Sequence, residues 1–218
     1  MKPPLINPPH INPPHINPPL IKDAEEHWPV TATAEEFRNR LISVRNDQVR
    51  MPAGNTAERT VVSHPGAVAI LVLDDEDRIL LNRQYRHPVG RLLWEIPAGL
   101  RDVPGEDPLH AAQRELAEEA SYEAKDWRVL VDFFSSPGFS TERLRIYLAR
   151  QLSEVRDQQF VLKDEEAQLV RAWLPLQEAV QKVLAGDLHN GVTVMGILAV
   201  YACHGDFTGL RPADAPET

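Results

Sequence analysis

A single cysteine, Cys203, rules out an internal disulfide, so the fold must rest on packing and polar contacts. No apolar run approaches the roughly twenty residues of a membrane-spanning helix, and no charged-then-apolar leader opens the chain, so no membrane partner and a cytoplasmic location are expected. Basic excess is missing as well: 23 Lys and Arg against 32 Asp and Glu leave a net charge of −9. A field of that sign repels long nucleic acid, and a phosphate-bearing ligand has to be received by local arginines or metal ions. With 43% hydrophobic and 25% charged residues, the 218-residue chain has enough apolar material for one compact domain with a substantial core.

Proline, in contrast, is plentiful and concentrated. After Met1 and Lys2 come four pentads, PPLIN, PPHIN, PPHIN and PPLIK. Paired prolines every five residues remove backbone donors and favour extended polyproline II, and the intervening Leu and Ile are too sparse to build a core. Residues 1–26 are therefore expected to be a disordered tail outside the fold. A docking segment for a proline-reading groove and a metal site at His10 and His15 are the alternatives.

Acidic residues are concentrated in residues 99–122, GLRDVPGEDPLHAAQRELAEEASY. Asp107 suits a helix N-cap and Pro108 the first helical position, while Leu109, Ala112, Leu116 and Ala120 form a narrow apolar stripe at helical spacing. At about 100° per residue, Glu115, Glu118 and Glu119 share a flank roughly a quarter-turn from that stripe. A solvated acidic face is the plain alternative for such a helix.

The spacing argues otherwise. Glu106, seven residues, then Arg114-Glu115-Leu116-Ala117-Glu118-Glu119 resembles the Nudix box, whose pattern is Gly, five residues, Glu, seven residues, Arg-Glu-apolar-x-Glu-Glu-x-Gly-apolar. Two positions depart from it: six residues separate Gly99 from Glu106, and Ser121 stands where the family has Gly. The first alters a loop and the second a helix exit, where glycine is favoured for its left-handed conformation. No carboxylate is lost.

The resemblance implies an α/β (α+β) Nudix fold, a mixed β-sheet sandwiched between helices. It also implies a pyrophosphate hydrolase using Mg2+ or Mn2+, with Glu115, Glu118, Glu119 and the Ala98 carbonyl as hard oxygen ligands. Arg114 is read as a partner that orients these carboxylates, and Glu106 either as a ligand or as a brace for the helix start. The string Arg83-Gln84-Tyr85-Arg86, followed by Leu93-Trp94-Glu95-Ile96-Pro97-Ala98-Gly99, is similar to the ADP-ribose pyrophosphatases of this family. It points to Arg86 and Arg83 as diphosphate contacts and to Glu95 as part of the site. In that subgroup a proline lies about sixteen residues after the box, and Pro137 stands sixteen after Ser121. Phe139 and Ser140 then become nucleoside contacts, burial of Phe139 in the core being the alternative.

A glutamate in the acidic stretch 164–166 is implied as the general base; Glu166 matches best and Glu165 is close behind. Hydrolysis of ADP-ribose to AMP and ribose 5-phosphate follows as the expected reaction. A nucleotide sugar or dinucleotide coenzyme as substrate, and a ligand-sensing regulator without catalysis, remain alternatives.

The rest of the chain supplies the frame. Residues 27–65 read as a short helix or turn followed by a hairpin of 44–51 and 58–63 around Pro52-Ala53-Gly54-Asn55, a region that the resemblance places in a homodimer interface. The apolar run 67–73 reads as a strand buried on both faces, 74–77 as a charged hairpin tip and 78–86 as the returning strand. Strands are expected at 127–134, 144–148 and 169–174, and helices at 176–185 and 192–203, with Cys203 a small core residue. The catalytic domain is thus expected at 66–205, followed by a flexible tail at 206–218.

Overall fold

The computed structural model describes residues 21–155 and 170–217. Its first element is a strand, β1 (Val30–Arg38), where the sequence suggested a helix or turn. The stretch Val30-Thr31-Ala32-Thr33 alternates β-branched residues, and pairing with β2 (Ser43–Arg50) satisfies a backbone that a short helix would leave half-bonded. β3 (Thr56–Ser63) closes the expected hairpin with β2, Arg50 opposite Thr56, giving a three-stranded antiparallel sheet. Every residue of β1 is exposed.

The apolar run forms β4 (Ala67–Val72), with all six residues buried. Successive side chains leave a strand on opposite faces, so one sequence must serve two cores. Ala69 and Leu71 enter one apolar cluster with Ile197 and Val200, whereas Val68, Ile70 and Val72 enter the other with Ala112 and Leu116. β4 lies at the centre of this arrangement because it runs parallel to β9 (Arg143–Glu154) and antiparallel to the short β7 (Ala98–Leu100). β9 pairs in turn with β8 (Tyr122–Phe134), the two longer than the sequence suggested.

The returning strand β5 (Arg78–Arg86) follows the tip at residues 74–77 but joins a second antiparallel sheet, between β6 (Arg91–Glu95) and β10 (Val170–Pro175). Helix α1 (Pro108–Glu115) covers the face presented by Val68 and Ile70. Helices α2 (Leu176–Ala185) and α3 (Gly191–Ala202) cover the opposite face, which gives the expected sheet between helices. Cys203 follows α3 half-buried, its Sγ 3.4 Å from the Ala199 carbonyl and its thiol pKa pushed up by burial. None of the described helices is long and apolar enough to cross a membrane.

The expected C-terminal tail is instead docked. β11 (Arg211–Pro212) adds an edge to β8, completing the order β11-β8-β9-β4-β7. Its anchor is a buried ion cluster: Arg145 of β9 forks onto Asp132 of β8 at 2.7 and 2.9 Å, Arg211 reaches the same carboxylate at 2.9 Å, and Arg145 also donates to the Ala215 carbonyl at 2.7 Å. Further along, Glu217 pairs with Arg101 at 2.7 Å. The polar composition of 206–217 suggested a loose end because the charges that hold it lie far back in the chain. Burial alone would raise the Asp132 pKa, but the hydrogen bonds from Arg145 and Arg211 outweigh it and hold the carboxyl below its ordinary range.

Helix α1 ends in a π-helical turn, Leu116–Ala120, closed by Ser121 at φ 60° and ψ 36°. This is the left-handed region, where a side chain costs roughly 1–2 kcal/mol and glycine almost nothing. Ser121→Gly is expected to raise unfolding stability by about 0.5–1 kcal/mol in a urea titration, less than the full steric cost because glycine also widens the unfolded ensemble. An unchanged or lower value would show that the serine side chain supplies a compensating contact. Asp132→Asn is expected to lower stability at pH 7 by about 3 kcal/mol, since it leaves Arg145 buried beside a neutral group. The native carboxylate is depressed, so its contribution is complete above the ordinary aspartate pKa and fades as pH falls through the lower folded value. The variant's stability should accordingly decline less than the native chain's below about pH 4, and parallel acid profiles would contradict this assignment.

Candidate active site

The site is assembled on backbone pinned from several sides. Between β6 and β7, the Ile96 amide donates to Thr193 Oγ1 of α3 at 3.0 Å, and the Pro97 carbonyl accepts from the Ile70 amide of β4 at 2.8 Å. Past β7, the Arg101 amide donates to the Gly66 carbonyl at 3.1 Å. The turn at 96–101 is therefore tied to α3, β4 and the start of the core strand. Such ties restrict the geometry of whatever is bound there.

Opposite this turn, α1 begins as its sequence implied. Asp107 accepts the Leu109 amide at 2.8 Å as the N-cap, and Pro108 occupies the first turn. The helix carries Glu115 onto Gly99, where a Cβ would fall 2.0–2.3 Å from the Glu115 side chain. Only glycine leaves room for that carboxylate.

Three carboxylates converge on one guanidinium. Arg114 forks onto Glu106 with two contacts of 3.1 Å, and its Nη1 lies 2.7 Å from Glu115 and 3.3 Å from Glu118. The hydrogen bonds from Arg114 hold the Glu106 carboxyl below the usual carboxylate range, and those same bonds, chiefly to Glu106, raise Arg114 further above its own. Arg114 thus contacts Glu106, Glu115 and Glu118, but Glu119 has other partners. It is buried, with Oε2 3.1 Å from the Ala98 amide and 3.4 Å from Asn82 Nδ2. Glu118 and Glu119 lie in the π-helical turn Leu116–Ala120, where the α-helix assumed in that projection has given way to a wider turn.

Arg86 and Glu95 form a second charged pair. Arg86 Nε lies 2.9 and 3.1 Å from the two Glu95 oxygens, and Nη2 lies 2.5 Å from Oε2. Glu95 is buried, whereas the Arg86 side chain is 45% exposed. Arg83, three residues earlier, leaves the strand on the other face and stacks over Trp94 with Cζ 5.4 Å from the ring centroid. The structure does not bring Arg83 to Arg86.

A cleft of about 500 Å³ runs from Arg86, Glu95, Ala98 and Gly99 to Leu41 and Val192. Its lining is largely apolar beyond the charged end, a composition suited to a ligand with one anionic and one less polar part. Pro137, Phe139 and Ser140 do not line it. Their loop docks on β3, the Val62 amide donating to the Phe139 carbonyl at 2.7 Å, and the Phe139 ring is exposed rather than in the core. Glu165 and Glu166 lie outside the described residues, as does most of the proline repeat.

Among the described residues no group of three or more His, Cys, Asp or Glu is already arranged around a metal position. The donor set nevertheless fits a hard divalent cation: Glu115 is seated over Gly99 and shares Arg114 with Glu106 and Glu118, all oxygen donors. Magnesium retains several waters and needs only one or two protein carboxylates when phosphate oxygens complete its shell, so no closed cage is required.

The sequence reading overlooked Asn82. It is a polar residue in the run Ile79-Leu80-Leu81-Asn82, on the same strand face as Gln84 and Arg86, and its burial with a partner 37 positions away was not visible from spacing.

The comparisons agree with this geometry. The NUDIX domain family matches residues 63–192. An ADP-ribose pyrophosphatase of Mycobacterium tuberculosis is 44% identical over 191 residues, covering 88% of this chain and 91% of that protein. An ADP-ribose pyrophosphatase of Bacillus subtilis is 34% identical over 166 residues, covering 76% and 88%. A solved structure titled as an ADP compounds hydrolase superposes with a TM-score of 0.68 at 20% identity, covering 83% of this chain and 96% of that one, a likeness of fold. The match runs through the pinned turn, the capped helix and the carboxylates gathered on Arg114, and the chain belongs to the NUDIX domain family.

Proposed function

We propose that the protein is a divalent-cation-dependent pyrophosphohydrolase that cleaves ADP-ribose to AMP and ribose 5-phosphate, with Mg2+ or Mn2+ as the cation. The observation that carries this reading is the carboxylate cluster on Arg114 beside Gly99, which lines, with Arg86 and Glu95, the charged end of a cleft whose remainder is largely apolar. The diphosphate suits the charged end and the nucleoside the apolar part.

The chemistry is attack of a water oxygen on one phosphorus with departure of the bridging oxygen. A bound cation would neutralise the diphosphate oxygens and make water easier to deprotonate. Glu115, Glu118, Glu119 and the Ala98 carbonyl are assigned to hold it. Arg114 positions Glu115 and Glu118 through the hydrogen bonds already described, and Glu106 braces the guanidinium from the other side. Arg86 is assigned to the diphosphate, with Glu95 fixing the plane of its fork. Glu166, with Glu165 as the neighbouring candidate, is assigned as the base that takes the proton from water.

A homodimer is part of this reading. β1 exposes Val30 and Phe37, Leu41 in the following connection lines the cleft, and the Pro137 loop assigned to the nucleoside lies outside the cleft of its own chain. A second copy packed on β1 would cover the apolar residues and can offer that loop. Sedimentation equilibrium should give twice the chain mass, and Phe37→Glu should reduce it to one; a wild-type monomer would remove the dimer from the proposal.

The central test is hydrolysis with magnesium across ADP-ribose, nucleotide sugars, dinucleotide coenzymes and nucleoside triphosphates. ADP-ribose should give the highest kcat/KM, and preference for a nucleotide sugar or a dinucleotide would reassign the substrate within the same chemistry. Two variants separate the assigned roles. Glu119→Gln should lower turnover by orders of magnitude with the fold intact, whereas Glu166→Gln should lower kcat about 10²–10⁴-fold with manganese affinity unchanged. Near-normal turnover in the first, at saturating magnesium, would sink the assignment of Glu119. Lost manganese affinity in the second would make Glu166 a ligand instead of the base.

A further inference from the structure

Asn82 is 3% exposed and follows the buried run Ile79-Leu80-Leu81 in β5. Its amide nitrogen donates to Glu119 Oε2 at 3.4 Å, and its carbonyl Oδ1 is buried without a hydrogen-bond partner among the described residues. A buried amide oxygen left unpaired by protein is destabilising, and an apolar side chain of similar size would remove that cost. Beside this oxygen lies a cavity of about 10 Å³ bounded by Asn82, Gln84, Arg86, Glu95, Ala98 and Glu119. The volume is about that needed for one water, and the walls offer the several polar partners that an ordered water requires.

The placement of Asn82 ties this cavity to the site. It stands opposite Glu95 in the β5–β6 ladder and opposite Arg171 in the β10–β5 ladder, so its backbone is held on both sides. Its side chain therefore meets Glu119 from a rigid support, while the Ala98 amide meets the same carboxylate oxygen from the pinned turn at 3.1 Å. Two donors from two sheets converge on Glu119 Oε2.

We propose that Asn82 is a positioning residue for Glu119: its Nδ2 aims the carboxylate, and its Oδ1 holds an ordered water that links Glu119 to the Arg86–Glu95 pair. This rests on the reading of Glu119 as part of the hydrolytic site. The water occupies the cavity between Glu119 and the Arg86–Glu95 pair, accepts from or donates to the polar atoms that line it, and keeps the orientation of one side coupled to the other. Loss of the amide would remove one of the donors that aim Glu119 and widen its range of orientations, which weakens cation binding and slows turnover without removing any group that touches substrate.

Two variants of nearly the same shape separate polarity from packing. Asn82→Val removes both polar atoms, and Asn82→Thr returns one hydroxyl in the same place. For the valine variant, kcat for the preferred substrate should fall about tenfold with KM within about twofold, and manganese affinity measured calorimetrically without substrate should weaken about tenfold, both values being typical of residues that orient a ligand. Thermal stability should not fall, and the threonine variant should recover most of both losses. A crystal structure of the wild-type protein should contain a water within hydrogen-bond distance of Asn82 Oδ1.

Wild-type kcat and manganese affinity in the valine variant would overturn the proposal, as would a dry cavity in the crystal. Asn82→Leu, branched at Cγ as asparagine is, replaces valine if that variant unfolds; unfolding of both would assign Asn82 to the core alone and overturn the proposal equally. The manganese and crystallographic readings do not depend on the substrate's identity. Failure of ADP-ribose in the substrate screen therefore remains distinct from failure here.

Discussion

The site depends on one guanidinium among carboxylates. Arg114 contacts Glu106, Glu115 and Glu118, so one positive charge faces three negative charges and two negative charges remain uncompensated within that cluster. Carboxylates gathered on one guanidinium repel one another, and this repulsion sets a cost that the guanidinium has to offset. Without Arg114 the carboxylates would turn outward to water, and the helix would present an ordinary acidic face. With it Glu106, Glu115 and Glu118 are gathered on one guanidinium. The residual charge would be balanced by one divalent cation, which would let the cluster receive such an ion without a closed cage.

The surrounding fold keeps this cluster against one short stretch of backbone. β4 is buried on both faces and thereby fixes α1 on one side and α3 on the other. The turn at 96–101 crosses between them, tied to α3 by Thr193 and to β4 by the Ile70 amide. Gly99 lies within that stretch, and the absence of its Cβ lets Glu115 approach. The docked C-terminal segment braces the same region, since Glu217 pairs with Arg101 one residue beyond β7. That segment is held by Arg145 and Asp132, a pair whose loss would be felt at the site through the backbone, with no contact to substrate.

Much of this was legible in the sequence where the signal is local. Asp107 and Pro108 marked the helix start, the run 67–73 its doubly buried strand, and Pro52-Ala53-Gly54-Asn55 its hairpin turn, because caps, periodicity and turn residues act over a few positions. The carboxylates were visible for the same reason. The π turn at Leu116–Ala120 was not, since it differs from an α-helix by a change of hydrogen-bond partner that leaves no composition cue. β1 was missed because Val30–Arg38 owes its conformation to pairing with β2. Asn82 and the C-terminal brace were missed for a stronger reason: Asn82 meets Glu119 across 37 positions, and Arg211 meets Asp132 across 79. Contacts at such separations have no period to read.

Charge compensation also constrains how an anion enters. Arg86 and Arg114, the two site arginines, are each already engaged by carboxylates, and the chain as a whole carries a net charge of −9. Arginines alone therefore cannot account for affinity toward a diphosphate, because each new contact competes with a carboxylate already in place. A cation held by the carboxylates would change that balance. It would relieve Arg114 of part of its neutralising role and bring positive charge to the end of the cleft that Arg86 lines. Cation and diphosphate would then favour each other's binding, and by linkage the coupling would be reciprocal: whatever the cation adds to diphosphate affinity, the diphosphate adds to cation affinity. An acidic protein can in this way hold a polyanionic group tightly in one place while the rest of its surface repels it.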